Sequence, residues 1–278
     1  MQLVVLKSLW SKIFLGIGLV IGLAILVSGS VLVANYFGWT NVSGALDPNH
    51  IWALTTFGPD AKLAWRESPE WQTLQGALKR DVAVIQRVSQ ETGVPARLIV
   101  APIVPEQLRL FTSEREIYKQ IFEPLALFGV QTKFSWGVAG LKEDTAREIE
   151  ANLIDRESLR YPGTSYEHLL DFGDGNVDTL RFERLTDQHD HYYTYLYVAL
   201  FIREIRAEWE RAGYHIHNRP EIMSTLFNIG FANSQPKANP AVGGALIKVG
   251  GEGYTFGRLA YEFYYSTELT SDFPQVTW

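Results

Sequence analysis

The chain has 278 residues, 46% of them hydrophobic, with no cysteine and a formal net charge of -6. That is the composition of a folded protein with a sizeable core rather than of a disordered one. The acidic balance argues against nucleic acid as a partner, which needs a basic face, and against attachment to anionic lipid by charge alone.

Residues 13–46 contain no charged side chain. Their most apolar part, residues 13–34, is long enough as a helix to cross a hydrocarbon core about 30 Å thick with its backbone hydrogen bonds satisfied internally. Lys7 and Lys12 precede this run and the first charge after it is Asp47. That asymmetry places residues 1–12 in the cytoplasm and the remainder across the membrane. A cleaved signal peptide is the competing reading, although its apolar core is normally about 7–15 residues. Either way the domain is exported. The expected location is the inner (cytoplasmic) membrane, single-pass, with the C-terminal domain periplasmic or otherwise extracytoplasmic. The lack of cysteine agrees with export without stray disulfides.

Residues 35–70 read as a tether rich in Trp, Gly and Pro that includes Trp39, Trp52 and Trp65. Tyr36 and Trp39 fall where aromatic rings favour the membrane interface. From about residue 70, Trp71, Leu74, Leu78, Val82, Ile85 and Val88 recur at spacings of three and four, which predicts one apolar helical stripe ended by Gly93. Pro95 can open the next helix. Further helical stretches are predicted at 113–127, from Glu143 to Asn152, and from Tyr192 to Trp209 with Gly213 closing it. Pro220 and Glu221 suit the start of another, which Gly230 or Asn233 would end. Residues 155–190 look irregular, with turn signals at Tyr161-Pro162-Gly163 and Phe172-Gly173-Asp174-Gly175-Asn176, and a short β-hairpin fits there. Residues 231–255 look loop-like. The expected fold is a mainly α domain over residues 71–278.

Glu106 closes the apolar run Leu98-Ile99-Val100-Ala101-Pro102-Ile103-Val104-Pro105. Cleaving a glycosidic bond requires a proton for the leaving oxygen, and a carboxylic acid in apolar surroundings is favoured in its protonated form. Pro105 also suits the first position of a new helix, which would reduce Glu106 to a partner of the helix dipole. Most glycosidases need a second carboxylate as nucleophile or base, and no partner for Glu106 is evident in the sequence.

Three segments lie in a suggestive order: Gly93-Val94-Pro95 leading to Glu106, then Gly137-Val138-Ala139-Gly140-Leu141-Lys142-Glu143-Asp144-Thr145-Ala146, then Leu226-Phe227-Asn228-Ile229-Gly230. In this order they resemble the lysozyme-like lytic transglycosylases of the SLT type, over roughly residues 80–260. The resemblance implies a lysozyme-like fold and cleavage of the MurNAc-GlcNAc bond of peptidoglycan to 1,6-anhydro ends. One Glu would act as acid and then base, since the 6-hydroxyl of the sugar itself closes the ring. It implies Glu106 as the catalytic residue and Ser135, Asn228 and Tyr192 as substrate-binding residues. No cofactor or metal is expected. The implied partners are peptidoglycan strands, the membrane through the N-terminal helix, and other envelope proteins. The chain departs from the family pattern at Gln107, which replaces the Ser after the acid. It departs again at Gly140, where the family has a groove-lining Gln, and at Glu143, where it has Pro. These departures keep open a non-catalytic glycan-binding or scaffold module.

Ser135 also reads as a helix cap and Asn228 as a satisfied buried amide. His189-Asp190-His191 and His215-Ile216-His217 are the best metal candidates, since i, i+2 side chains share a face on a strand, but neither spacing matches a zinc signature. A metal-dependent hydrolase using these pairs is the third reading. Asp171, Asp174, Asn176 and Asp178 mimic an oxygen-rich calcium loop without its twelfth-position Glu. Tyr192, Tyr193, Tyr195 and Tyr197, and later Tyr261, Tyr264 and Tyr265, could stack on sugars, although such rings are more often core.

Overall fold

The computed structural model describes residues 63–112, 135–136 and 139–278. The predicted anchor of residues 13–34, the segment before it, the tether up to residue 62 and the helical stretch at 113–127 lie outside the described residues. Among the described residues no helix is long and apolar enough to cross a membrane. They form a mainly helical fold of eight α-helices and two short antiparallel hairpins.

Helix α1 (Pro69–Arg80) starts where Ser68 Oγ accepts from the Trp71 backbone N–H at 3.1 Å, with Pro69 in the first turn. Helix α2 (Val82–Thr92) ends at Gly93, whose φ of 63° suits a residue without a side chain. The single stripe expected from periodicity is thus two helices, broken at Asp81. Asp81 directs its carboxylate to His191 Nδ1 and Tyr195 Oη, both at 2.7 Å, at the start of a helix more than a hundred residues later. Trp71, Leu74, Leu78, Ile85 and Val88 are nonetheless all buried. The fold also takes in residues 63–70, which the sequence reading gave to the tether: Trp65 is fully buried and stands edge-on to Trp71.

Helix α3 (Ala96–Thr112) is continuous through Pro102 and Pro105. A proline inside a helix removes a hydrogen bond and crowds the preceding turn, and here burial outweighs that cost. Leu98, Ile99, Val100, Ala101, Ile103 and Val104 are all at most 2% exposed, the pattern of a helix enclosed on every side. Arg97, just before this run, is also fully buried. Its guanidinium donates to the backbone carbonyls of Phe263, Tyr264, Ser266, Glu268 and Phe273, one for each of its donors. Desolvation pulls its pKa down to about 10.

The pair β1 (Ser135–Trp136) and β2 (Leu141–Lys142) leads into α4 (Glu143–Ile154). No hairpin occupies residues 155–190. Asn176, read as part of a turn, instead caps α5 (Val177–Thr186), its side chain accepting from Thr179 N at 3.0 Å. Helix α6 (Tyr192–Arg211) packs on α2, α4 and α5. Helix α7 (Pro220–Ile229) crosses α8 (Phe256–Tyr265) closely, and a Cβ at Gly257 would lie 2.2 Å from Thr225 Oγ1. Helix α8 also covers α3. The loop expected at 231–255 contains a second hairpin, β3 (Leu246–Val249) and β4 (Glu252–Thr255), in the register Leu246↔Thr255 to Val249↔Glu252. Gly250 and Gly251, both at positive φ, make its two-residue turn.

Candidate functional site

Because α3 does not restart at Pro105, Glu106 lies in the second half of a long buried helix rather than at a helix N-terminus, and the dipole reading of this residue falls away. Glu106 is 2% exposed. Arg109, one turn on, donates from Nη2 to both carboxylate oxygens, at 2.6 Å and 2.8 Å. This Glu–Arg pair was legible as an i, i+3 pair of opposite charge on a helix, and the sequence reading missed it.

The second wall of the site is Gly140. A Cβ built on it would lie 2.1 Å from Glu106 Oε1 and 2.7 Å from the carboxyl carbon. Gly140 has φ of 58°, in the turn that leads into β2. The acid and the Gly-rich segment are therefore packed against each other although more than thirty residues apart in sequence. A side chain at position 140 has no room beside this carboxylate. Glu143 opens α4, buried, and accepts from Arg147 Nη2 at 2.7 Å. Ser135 pairs with Lys142 in the β1–β2 ladder, next to the segment that meets Glu106.

Asn228 lies near the end of α7, half-buried, and its Oδ1 accepts from Ala245 N at 2.8 Å. It ties the 243–245 segment to α7, which packs against α3. Tyr192 starts α6 and faces α2. Its hydroxyl donates to Glu91 Oε2 at 2.5 Å, Arg87 covers its ring, and burial raises its pKa to about 12. The contacts of Tyr192 are thus with α2 and not with the Glu106 site. Of the Tyr residues considered for stacking on sugar, Tyr195, Tyr197 and Tyr264 are buried, Tyr265 is exposed, and Tyr192, Tyr193 and Tyr261 are half-buried.

Comparison of the chain with family models, with curated proteins and with solved structures gave no match.

Two depressions of about 360 and 380 Å³ open elsewhere on the surface. One is lined by Arg147, Glu150, Ile154, Phe172, Val177 and Arg181, the other by Glu67, Pro69 and Gly250. Neither includes Glu106. A second buried acid escaped the sequence reading. Glu204, on α6, is fully enclosed, and desolvation raises its pKa well above the usual carboxylate range although Asn152 Nδ2 donates to it at 3.0 Å. No solvent reaches it, so it suits a role in packing rather than in proton delivery to a substrate.

The calcium-like acidic run dissolves into helix capping and ion pairing. Asn176 caps α5, and Asp178 accepts from Arg181 Nη1 at 2.6 Å. His191 is likewise committed to Asp81.

Proposed function

We propose that this protein is a lysozyme-like lytic transglycosylase acting on peptidoglycan, with Glu106 as its acid and base. One observation carries the reading: Glu106, sheltered from water on a core helix, is packed directly against Gly140 of the segment that resembles the family's groove wall. The mainly helical architecture and the continuous helix bearing the acid agree with it. The sugar's 6-hydroxyl supplies the nucleophile, so one carboxyl suffices. Arg109 occupies both oxygens of Glu106. Proton delivery to a glycosidic oxygen therefore requires its guanidinium to swing aside as the glycan enters. Asn228 acts by holding the 243–245 segment in place. Ser135 contributes through its place in the β1–β2 ladder. Tyr192, on the α2 side, contacts a distal part of the glycan. Residues 13–34 anchor the domain on the outer face of the cytoplasmic membrane.

The test is digestion of purified sacculi, with 1,6-anhydro-muropeptides counted by mass spectrometry. Glu106→Gln should lower their release by about 100-fold or more, the span attributed to general acid–base catalysis. Its far-UV circular dichroism should stay that of the parent, although its melting temperature should fall because Arg109 loses its carboxylate. Undiminished anhydro product from this variant refutes the assignment.

The same ion pair favours a second reading, a non-catalytic glycan-binding or scaffold module in which Arg109 locks the acid permanently. Parent protein that sediments with sacculi but releases no soluble product supports that reading over the enzyme.

A further inference from the structure

We propose that Glu210, His215 and His217 form a binding site for a divalent cation of borderline softness, zinc above all, with water completing its coordination. The three side chains present ligand atoms that all lie within 4.8 Å of one another. The i, i+2 spacing of the two histidines, ambiguous in the sequence, is resolved by the way α6 ends.

Helix α6 closes in a Schellman motif. Gly213, at φ of 82°, donates its N–H to Glu210 O at 3.0 Å, and Tyr214 N donates to Trp209 O at 2.9 Å. The Tyr214 ring meets the Trp209 ring edge-on, the apolar contact that accompanies this motif. The chain thereby reverses direction, and His215 and His217 come back beside Glu210 in the last turn of the helix. The two imidazoles stand 6.0 Å apart between centroids.

A second observation points to a ligand. The Nδ1 of His217 is buried and makes no hydrogen bond among the described residues. A buried ring nitrogen with no protein partner is an anomaly in a folded chain, and a metal ion would remove it. The carboxylate is also held in place, since Arg206 Nε donates to Glu210 Oε1 at 2.6 Å. Arg206 is itself stacked on the Trp278 ring at 4.2 Å. Ligating carboxylates are commonly oriented by hydrogen bonds of this kind.

The donor set decides the metal. Two imidazoles and one carboxylate are the ligands of three-coordinate protein sites for zinc that leave a fourth position to water. Magnesium and calcium prefer all-oxygen sets. A zinc ion about 2.1 Å from each ligand needs ligand atoms closer together than 4.8 Å. Rotation of the exposed His215 can supply that closure.

The experiment uses the full chain expressed without a histidine tag. Zinc is titrated by calorimetry, and bound metal is counted by elemental analysis after dialysis. One zinc per chain is expected. His215→Ala, His217→Ala and Glu210→Gln should each weaken binding about tenfold or more. His168→Ala, at an exposed histidine paired only with Asp171, should leave it unchanged. His215 is exposed, so its removal tests the site without disturbing the core. A parent chain that binds no zinc overturns the proposal. So does a His215→Ala/His217→Ala double variant that binds zinc as tightly as the parent.

Discussion

At the scale of single residues, the contact between Gly140 and Glu106 is the feature most open to test. Two independent constraints meet at position 140. Its φ is positive, which for any other L-residue costs about 1–2 kcal/mol. Its missing Cβ is the space that the Glu106 carboxyl fills. Gly140→Ala should therefore lower stability in a urea melt by at least that conformational cost, and muropeptide release should fall with it. Gly140→Gln should be worse than alanine rather than better, because a longer side chain meets the same carboxyl. A Gln variant with raised activity would show that the contact is not needed. The sequence offered Glu106 and Gly140 as separate motif positions. It could not offer their contact, because nothing in local spacing records which turn folds onto which helix. Arg97 was similarly hidden: a lone basic residue just before the apolar run shows no partner in the sequence, and its five carbonyls come from the other end of the chain.

At the scale of elements, periodicity found the helices that carry a long apolar stripe but missed α5 and α8 and the break between α1 and α2. Most of the stripe from Trp71 to Val88 is buried as expected, yet the helix breaks at Asp81, whose carboxylate is held by His191 and Tyr195 from far away in sequence. The hairpin at 246–255 was hidden by its glycines, which read as loop although two of them make the tight turn the strands need. The Asp81–His191 pair carries a pH signature. The hydrogen bond to Asp81, more than burial, sets the His191 pKa, and the net shift is upward. At Asp81, burial pushes upward, but the bonds from His191 and Tyr195 and nearby positive charge outweigh it, and the net shift is downward. A raised histidine stabilises fully below its unfolded pKa of about 6.5, and that contribution is lost as pH rises through the higher folded value. A lowered carboxylate stabilises above its unfolded pKa of about 3.9 and is lost as pH falls through the lower folded value. The pair's stabilisation should therefore be greatest between those limits. Urea midpoints measured from pH 5 to pH 8 should fall across the histidine window in the parent. In His191→Gln that part of the decline should be absent, and an identical pH profile in the two proteins would remove the pair from the account.

At the scale of the whole molecule, the question is where the folded unit begins. Composition placed the boundary at residue 70, because a stretch rich in Trp, Gly and Pro looks like a tether when its tryptophans have no visible partners. The partner of Trp65 is on α8: its indole N–H donates to Glu262 Oε2 at 3.0 Å, almost two hundred residues away. Burial is the largest influence on Glu262 and raises its pKa, while Trp65 and Arg258 partly offset that by hydrogen bonding. Arg66 pairs with Glu268 at 2.6 Å, and Ser68 caps α1. Residues 63–70 thus fasten the start of α1 to α8, which itself lies on the helix that bears Glu106. A fragment of residues 71–278 lacks all of this, and α8 keeps a buried carboxyl without its indole donor. Loss of a fully buried Trp costs about 3–5 kcal/mol, a large part of the roughly 5–15 kcal/mol that holds a typical domain folded. The fragment 63–278 should unfold cooperatively in urea, whereas 71–278 should unfold at a markedly lower midpoint or fail to fold. Equal midpoints for the two fragments would mean that the eight residues are a tether after all. A large difference would make Trp65 and its neighbours part of the folded unit rather than of a tether.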